Sequence, residues 1–485
     1  MAICHRFARG VITGILIATH SAAFAESPYL YGIHDHDPDP SEYLNRIKNG
    51  VGSGWVTATV AVGANPNDFG GANFNNLANA GHTVVCRINY GYFPNGTIPV
   101  PSQYDNFATR CKNFVQNSQG CTIWVIGNET NLAAEWPLNV SGAYVSPQSY
   151  ADCFRKVYNA IKAVRPNDKV IPQALAPWAG PYGSGNLGGY NHDAMPLNWV
   201  TYKNQMLTAI KNSGGIDGIA LHINSRGYTY GDIHSTAKIN AGGQNLFWSF
   251  YVYKDWVDLG IPSSLWHLPL YATECNGYFY WKGGHPEDPS KHYEPGWMQE
   301  IYAEINRYNQ SAYQTGKPIF KCVNMYRWCS GCDGWNIDGA SNPYKGQILS
   351  DLDAAVAQKY TWKNNSSKFV FISAPGSVAG GSSFSATVQF NNNGVKPWII
   401  TGSNAHKLGS QTPQDNTTWG FNRVLLSSQV NPGQNATFTF NATAPTSPGS
   451  YKFDWKMLQE GIEWFGDLAS ATISVTGSEV IVDNN

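Results

Sequence analysis

An apolar β-type run at Cys121–Ile126 ends abruptly in Gly127, Asn128 and Glu129, and a second, from Leu268 to Thr273, ends in Glu274. Short apolar runs bounded by polar residues read as strands of a buried parallel sheet. A parallel barrel gathers its chemistry at the C-terminal ends of such strands, so each run would deliver one carboxylate to the mouth. Singly, either glutamate reads as an ordinary strand-end acid. Together they are what glycosidic cleavage requires, one carboxyl to protonate the leaving oxygen and one to attack or to activate water.

Runs of the same kind recur along the chain at Tyr29–Ile33, Trp55–Val62, Thr83–Asn89, Thr122–Ile126, Lys169–Ala174, Gly218–Ile223, Pro269–Thr273 and Lys321–Tyr326. Helical patterns intervene at Pro40–Asn49, Tyr104–Asn117, Ser146–Val164, Trp199–Asn212, Phe247–Leu259, Trp297–Thr315 and Tyr344–Lys359. Ser146 followed by Pro147 is a capped helix entry. Eight strands alternating with helices predict a (β/α)8 TIM barrel. Beyond a linker at residues 361–368 the pattern shortens to alternating strands at Phe369–Ser373, Ser383–Phe390, Asn422–Leu426, Ala436–Asn441, Ser450–Leu458 and Ala469–Val475. These predict an all-β immunoglobulin-like sandwich over residues 369–477 and a tail at 478–485.

Residues 1–25 have the layout of a signal peptide: His5, Arg6 and Arg9, an apolar run, then Ala23-Phe24-Ala25, which predicts export to the periplasm or beyond. No later stretch reads as a membrane span. The remaining cysteines, Cys86, Cys111, Cys121, Cys153, Cys275, Cys322, Cys329 and Cys332, are even in number and read as a disulfide set in an exported chain. Cys329 with Cys332, and Cys111 with Cys121, are within reach of each other along the chain. With a net charge of -1 and 13% charged residues, the 485-residue chain carries no footprint for nucleic acid. Its 17 Trp and 27 Tyr instead suit stacking against neutral polar rings.

From residue 28 to 360 the chain resembles the clan of retaining (β/α)8 glycoside hydrolases whose fourth strand ends in Asn-Glu and whose seventh ends in Glu. The resemblance rests on Asn128-Glu129, Thr273-Glu274 and Trp328 just past strand 8. It implies Glu129 as acid/base, Asn128 as a contact to the sugar 2-hydroxyl and Glu274 as nucleophile, with no cofactor and a neutral, β-linked poly- or oligosaccharide as substrate. The C-terminal segment resembles the four-tryptophan immunoglobulin-like domain, on Trp398, Trp419, Trp455 and Trp464. Such domains bind a glycan or protein partner or merely pack against an enzyme.

Other candidates follow from position. Arg87 is the cation available at barrel depth to keep Glu274 ionised, and His222 at the end of strand 6 reaches Glu274 or a sugar hydroxyl. Trp328 is placed as a floor for the sugar, while Trp178, Tyr182, Tyr228, Tyr230, Tyr278, Tyr280 and Trp281 are loop aromatics for further sugar rings. His34 or Asp35 would contribute hydroxyl contacts from the loop after strand 1. Glu135 and Glu294 are backup carboxylates in loops, where exposure is the default. Two rival functions stand beside the hydrolase: a non-catalytic carbohydrate-binding or adhesion protein on a barrel scaffold, and a metal-dependent hydrolase using His34–Asp39.

Overall fold

The computed structural model describes residues 25–35, 37, 39–139, 144–181, 195–277, 292–329, 332, 334–339 and 342–477. The predicted leader, apart from Ala25, the tail, and Tyr182, Tyr278, Tyr280 and Trp281 lie outside them. Eight strands form one parallel sheet: β1 Tyr31–Asp35, β2 Trp55–Ala61, β3 Thr83–Asn89, β4 Ile123–Ile126, β5 Lys169–Pro172, β6 Ile219–His222, β7 Leu270–Cys275 and β8 Phe320–Trp328. Their order is β5-β4-β3-β2-β1-β8-β7-β6. The edges β5 and β6 share no ladder, but the Asp217 N–H donates to the Val170 carbonyl at 3.3 Å and its carboxylate accepts from the Val170 N–H at 2.9 Å. Trp55, Val85, Ile123, Val125, Ile171, Ala220, Tyr271 and Cys322 form a buried cluster of their own, so the barrel is filled with side chains.

The helices follow their sequence signals. Helix Pro147–Lys162 starts where Ser146 accepts the Ser149 N–H at 3.1 Å with proline in the first turn. The helix expected at Phe247–Leu259 forms in part, as a short helix Val252–Asp255 running into a π-turn Trp256–Gly260, and is preceded by a hairpin, Lys238–Ala241 with Gln244–Phe247. Gly242 and Gly243, at φ +60° and +85°, make the two-residue turn that matches strand twist. Asp255 accepts the Phe247 N–H at 2.5 Å and so ties the end of the hairpin to this short helix.

The second domain is a sandwich of two sheets. One holds Ser367–Ser373, Ser383–Asn392 and Asn435–Thr443; the other holds Ser377–Ala379, Glu463–Thr476, Gly449–Gln459, His406–Gln411 and Arg423–Leu425 in that order. Ser377–Ala379 and His406–Gln411 were missed by pattern, being short or polar with an internal glycine. Trp398, Trp419 and Trp455 are buried in its core, whereas Trp464 lies over Gly409 with the Arg423 guanidinium 5.0 Å from its ring.

Among the described residues one disulfide forms, Cys329–Cys332. The expectation of a wider set, and of a Cys111–Cys121 bridge in particular, is corrected: both are free and buried, as are Cys86, Cys153, Cys275 and Cys322. Cys111 faces inward from helix Tyr104–Asn117, while the Cys121 thiol donates to the Val84 carbonyl at 3.4 Å, and burial pushes that thiol up to about 12.

Candidate active site

At the end of β4 the backbone turns sharply into the barrel mouth. Gly127 has φ +77°, and Glu129 itself sits at φ +41°, a left-handed conformation that non-glycine residues rarely adopt. Its N–H donates to the Ala174 carbonyl at 3.0 Å and its carbonyl accepts from Leu132 at 2.7 Å, which pins the strained residue from both sides. Glu274 ends β7 in register with His222 on β6, and its carbonyl accepts the Ile223 N–H at 3.0 Å. The two glutamates, carried by strands on opposite sides of the barrel, bring one carboxylate oxygen each, together with a His222 nitrogen, within 4.8 Å of one another.

A polar network fixes this pair. Arg87 Nη1 donates to Glu274 Oε1 at 2.5 Å and to Asn128 Oδ1 at 2.6 Å, while Arg87 Nε donates to Thr59 Oγ1 at 3.0 Å. With Asn128 Oδ1 so occupied, its amide nitrogen is the group that donates to the Glu135 carboxyl. His34 lies behind Glu274, Nδ1 at 3.5 Å from Oε1 and Nε2 at 3.0 Å from Thr59 Oγ1. His222 Nδ1 is 2.6 Å from Glu129 Oε1, and its Nε2 is 3.6 Å from Glu274 Oε1. The 2.6 Å contact is a hydrogen bond and ties the imidazole to Glu129, whereas Nε2 stands beyond hydrogen-bond distance of Glu274.

Burial by itself would raise the Glu274 carboxyl, but the His222, Arg87 and His34 side chains outweigh it and hold it well below the usual carboxylate range. Glu135, in the loop after β4, goes the other way. Burial raises its carboxyl to about 7, aided by Glu129 and Glu274 and opposed by Arg87 and a bond from Asn128.

An open cleft of about 430 Å³ lies over the pair, and Arg87, Asn128, Glu129, Trp178 and Glu274 all line it. His222 and His34 are fully buried beneath it, so His34 holds Glu274 rather than a sugar hydroxyl. Trp328 and Tyr228 lie outside the lining. Trp328 packs on Tyr43 with ring centres 6.2 Å apart, and Tyr228 packs on Trp297 at 5.1 Å while its hydroxyl donates to the Gly277 carbonyl. The place sought for Trp328 is filled by Tyr326 and Trp335. A bulge explains it: Ile33 pairs with Met325 but Asp35 with Trp328, and the extra residue in β8 turns Trp328 away from the mouth. Of the two backup carboxylates, Glu135 lines the cleft half-buried rather than standing exposed, whereas Glu294 accepts the Tyr230 N–H at 2.6 Å and lies outside it.

Among the described residues, the groups able to converge on a metal are Glu129 with His222 and Glu274, and His234 with Glu300 and Glu304. The His34–Asp39 segment is not one of them, with His36 and Pro38 outside the described residues. In the second group Arg307 already bridges both glutamates. In the first, Arg87 stands where a cation would neutralise Glu274.

Residues 372–475 match the family model described as the Ig-like domain from next to BRCA1 gene. The second domain is of that immunoglobulin-like type. No curated protein matches the chain. Solved structures similar to it include a family 39 glycoside hydrolase from Bacteroides cellulosilyticus WH2, 14% identical over 84% of this chain and 80% of that one, TM-score 0.42. Others are an endo-β-1,4-mannanase from Thermotoga petrophila, 10% identical over 93% and 98%, TM-score 0.38, and a family 128 endo-β-1,3-glucanase from Amycolatopsis mediterranei, 14% identical over 67% and 99%, TM-score 0.32.

Proposed function

We propose that the chain is an exported glycoside hydrolase that cleaves a neutral, β-linked poly- or oligosaccharide with retention of configuration. The observation that carries this is the approach of Glu129 and Glu274 to within 4.8 Å, oxygen to oxygen. Retaining enzymes need carboxyls about 5–5.5 Å apart, whereas inverting ones leave room for a water between them. In the first step a Glu274 oxygen attacks the anomeric carbon as the glycosidic C–O bond breaks, and the proton held by Glu129 passes to the leaving oxygen. In the second, Glu129 takes a proton from water, whose oxygen displaces Glu274 from that carbon. Arg87 keeps Glu274 ionised, and Asn128 and Trp178 line the cleft in which the sugar would lie. The open cleft and the close carboxyls both speak against a scaffold that only binds.

The test is hydrolysis of a panel of aryl glycosides and neutral polysaccharides by wild type, Glu129→Gln and Glu274→Gln. Either substitution should lower kcat/KM on the turned-over substrate by roughly 10³-fold or more. Mutants as active as wild type would remove the pair from the chemistry. Full activity in excess chelator separates this reading from a metal-dependent hydrolase.

A further inference from the structure

The loops after β3 and β4 expose an unusual amount of apolar surface beside the cleft. Tyr92 is 53% exposed, Phe93 69% and Leu138 43%, well beyond what isolated surface apolars require. These side chains stand on backbone that is already rigid. The Leu138 N–H donates to the Pro94 carbonyl at 2.9 Å, the Thr97 N–H to the Glu135 carbonyl at 3.1 Å, and the Asn139 amide to Asn95 Oδ1 at 2.8 Å. Within the first loop, the Gly91 N–H donates to the Gly96 carbonyl at 2.9 Å. Gly96 is needed at this junction, because a Cβ there would lie 2.5 Å from the Pro137 nitrogen. The two loops are therefore zipped into one platform, and Tyr92 joins it to the cleft it also lines.

From this continuity we infer that Tyr92, Phe93 and Leu138 form a binding platform for a further sugar ring of the same glycan, beyond the ring held by the two carboxylates. The inference rests on the glycosidase reading and deepens it, since such a platform favours chains over single glycosides. An apolar surface next to a polar, hydroxyl-binding cleft suits a pyranose, whose C–H face stacks on an aromatic while its hydroxyls stay in water. Preorganised loops add affinity because little side-chain and backbone freedom is lost on binding.

The experiment compares Phe93→Ala, Leu138→Ala and the double variant with wild type on two substrates of the same sugar, an aryl monoglycoside and an oligosaccharide of six units. Both positions are exposed and lie outside the cleft lining, so circular dichroism should show the variants folded. KM for the oligosaccharide should rise roughly tenfold in the double variant, with kcat and the monoglycoside constants unchanged. An unchanged oligosaccharide KM, or an equal loss on both substrates, would overturn the platform. If wild type hydrolyses no sugar, the glycosidase reading fails by itself. The platform is then judged by retardation in gels containing neutral polysaccharide, which the double variant should lose and which, if retained in full or never seen in wild type, refutes it.

Discussion

Glu274 is surrounded by groups that prefer it charged, and Arg87 is the one among them that is always a cation. Replacing Arg87 by Met removes that cation from a buried carboxylate, so the Glu274 pKa should rise. The acid limb of kcat/KM against pH should move upward by about 1–3 units. An unmoved limb would show that Glu274 does not set it. Glu135 carries the opposite perturbation, neutral below about 7 and charged above. Because its folded pKa lies above the unfolded value near 4.3, Glu135 contributes stability below that value and loses it as pH rises through about 7. Thermal unfolding of Glu135→Gln should lack this fall between pH 4.5 and pH 7, as the amide does not titrate. Glu129, Asn128, Glu274 and Arg87 were legible in the sequence because each ends or lies within a plain apolar run. Glu135 was legible only as a backup carboxylate expected in solvent, because its approach to the cleft depends on a loop folding back, and Trp328 misled because a bulge is invisible to strand alternation.

Among the elements, the seam between β5 and β6 has an unusual closure. The ammonium of Lys203, on helix Trp199–Ser213, is fully buried and donates to the Gln173 carbonyl at 3.1 Å and the Ala220 carbonyl at 2.9 Å. It thus bridges the two edge strands where no ladder forms. Lys203→Met would leave two buried carbonyls unpaired at a cost of about 2 kcal/mol, read as a lower Tm. An unchanged Tm would mean that the seam holds without it. Burial lowers the Lys203 pKa to about 7, against about 10.4 in the unfolded chain. Between those values the unfolded chain binds the extra proton, so the wild type should gain stability as pH rises from 7 to 10 and the methionine variant should not. The strands and long helices were readable from apolar spacing and caps. The hairpin Lys238–Ala241 with Gln244–Phe247 was not, because its two short strands are mostly polar and exposed and only the Gly-Gly pair marks the turn.

At the scale of the whole molecule, the barrel and the sandwich are joined by a defined contact. Lys359 pairs with both carboxylate oxygens of Asp467 at 2.8 Å, and Asp467 Oδ2 also accepts the Phe369 N–H at 3.0 Å. Residues 361–368 are held between them: the Trp362 indole donates to the Ser27 carbonyl at 2.7 Å, and Asn365 donates to Gln459 and Glu463. Asp467→Ala removes a partly exposed pair worth about 1 kcal/mol, so protease cleavage within 361–368 should accelerate roughly fivefold. An unchanged rate would place the joint's strength elsewhere. Composition alone marked this boundary, but its rigidity rests on side chains from both domains that no local pattern connects. The proposed reaction too belongs to the whole barrel, because its two carboxylates come from strands far apart in sequence. Proton NMR of the first-formed product from a turned-over β-glycoside tests that most directly. Glu129 and Glu274 at this spacing predict that the β-anomer appears first and mutarotates later; a first-formed α-anomer would contradict the account.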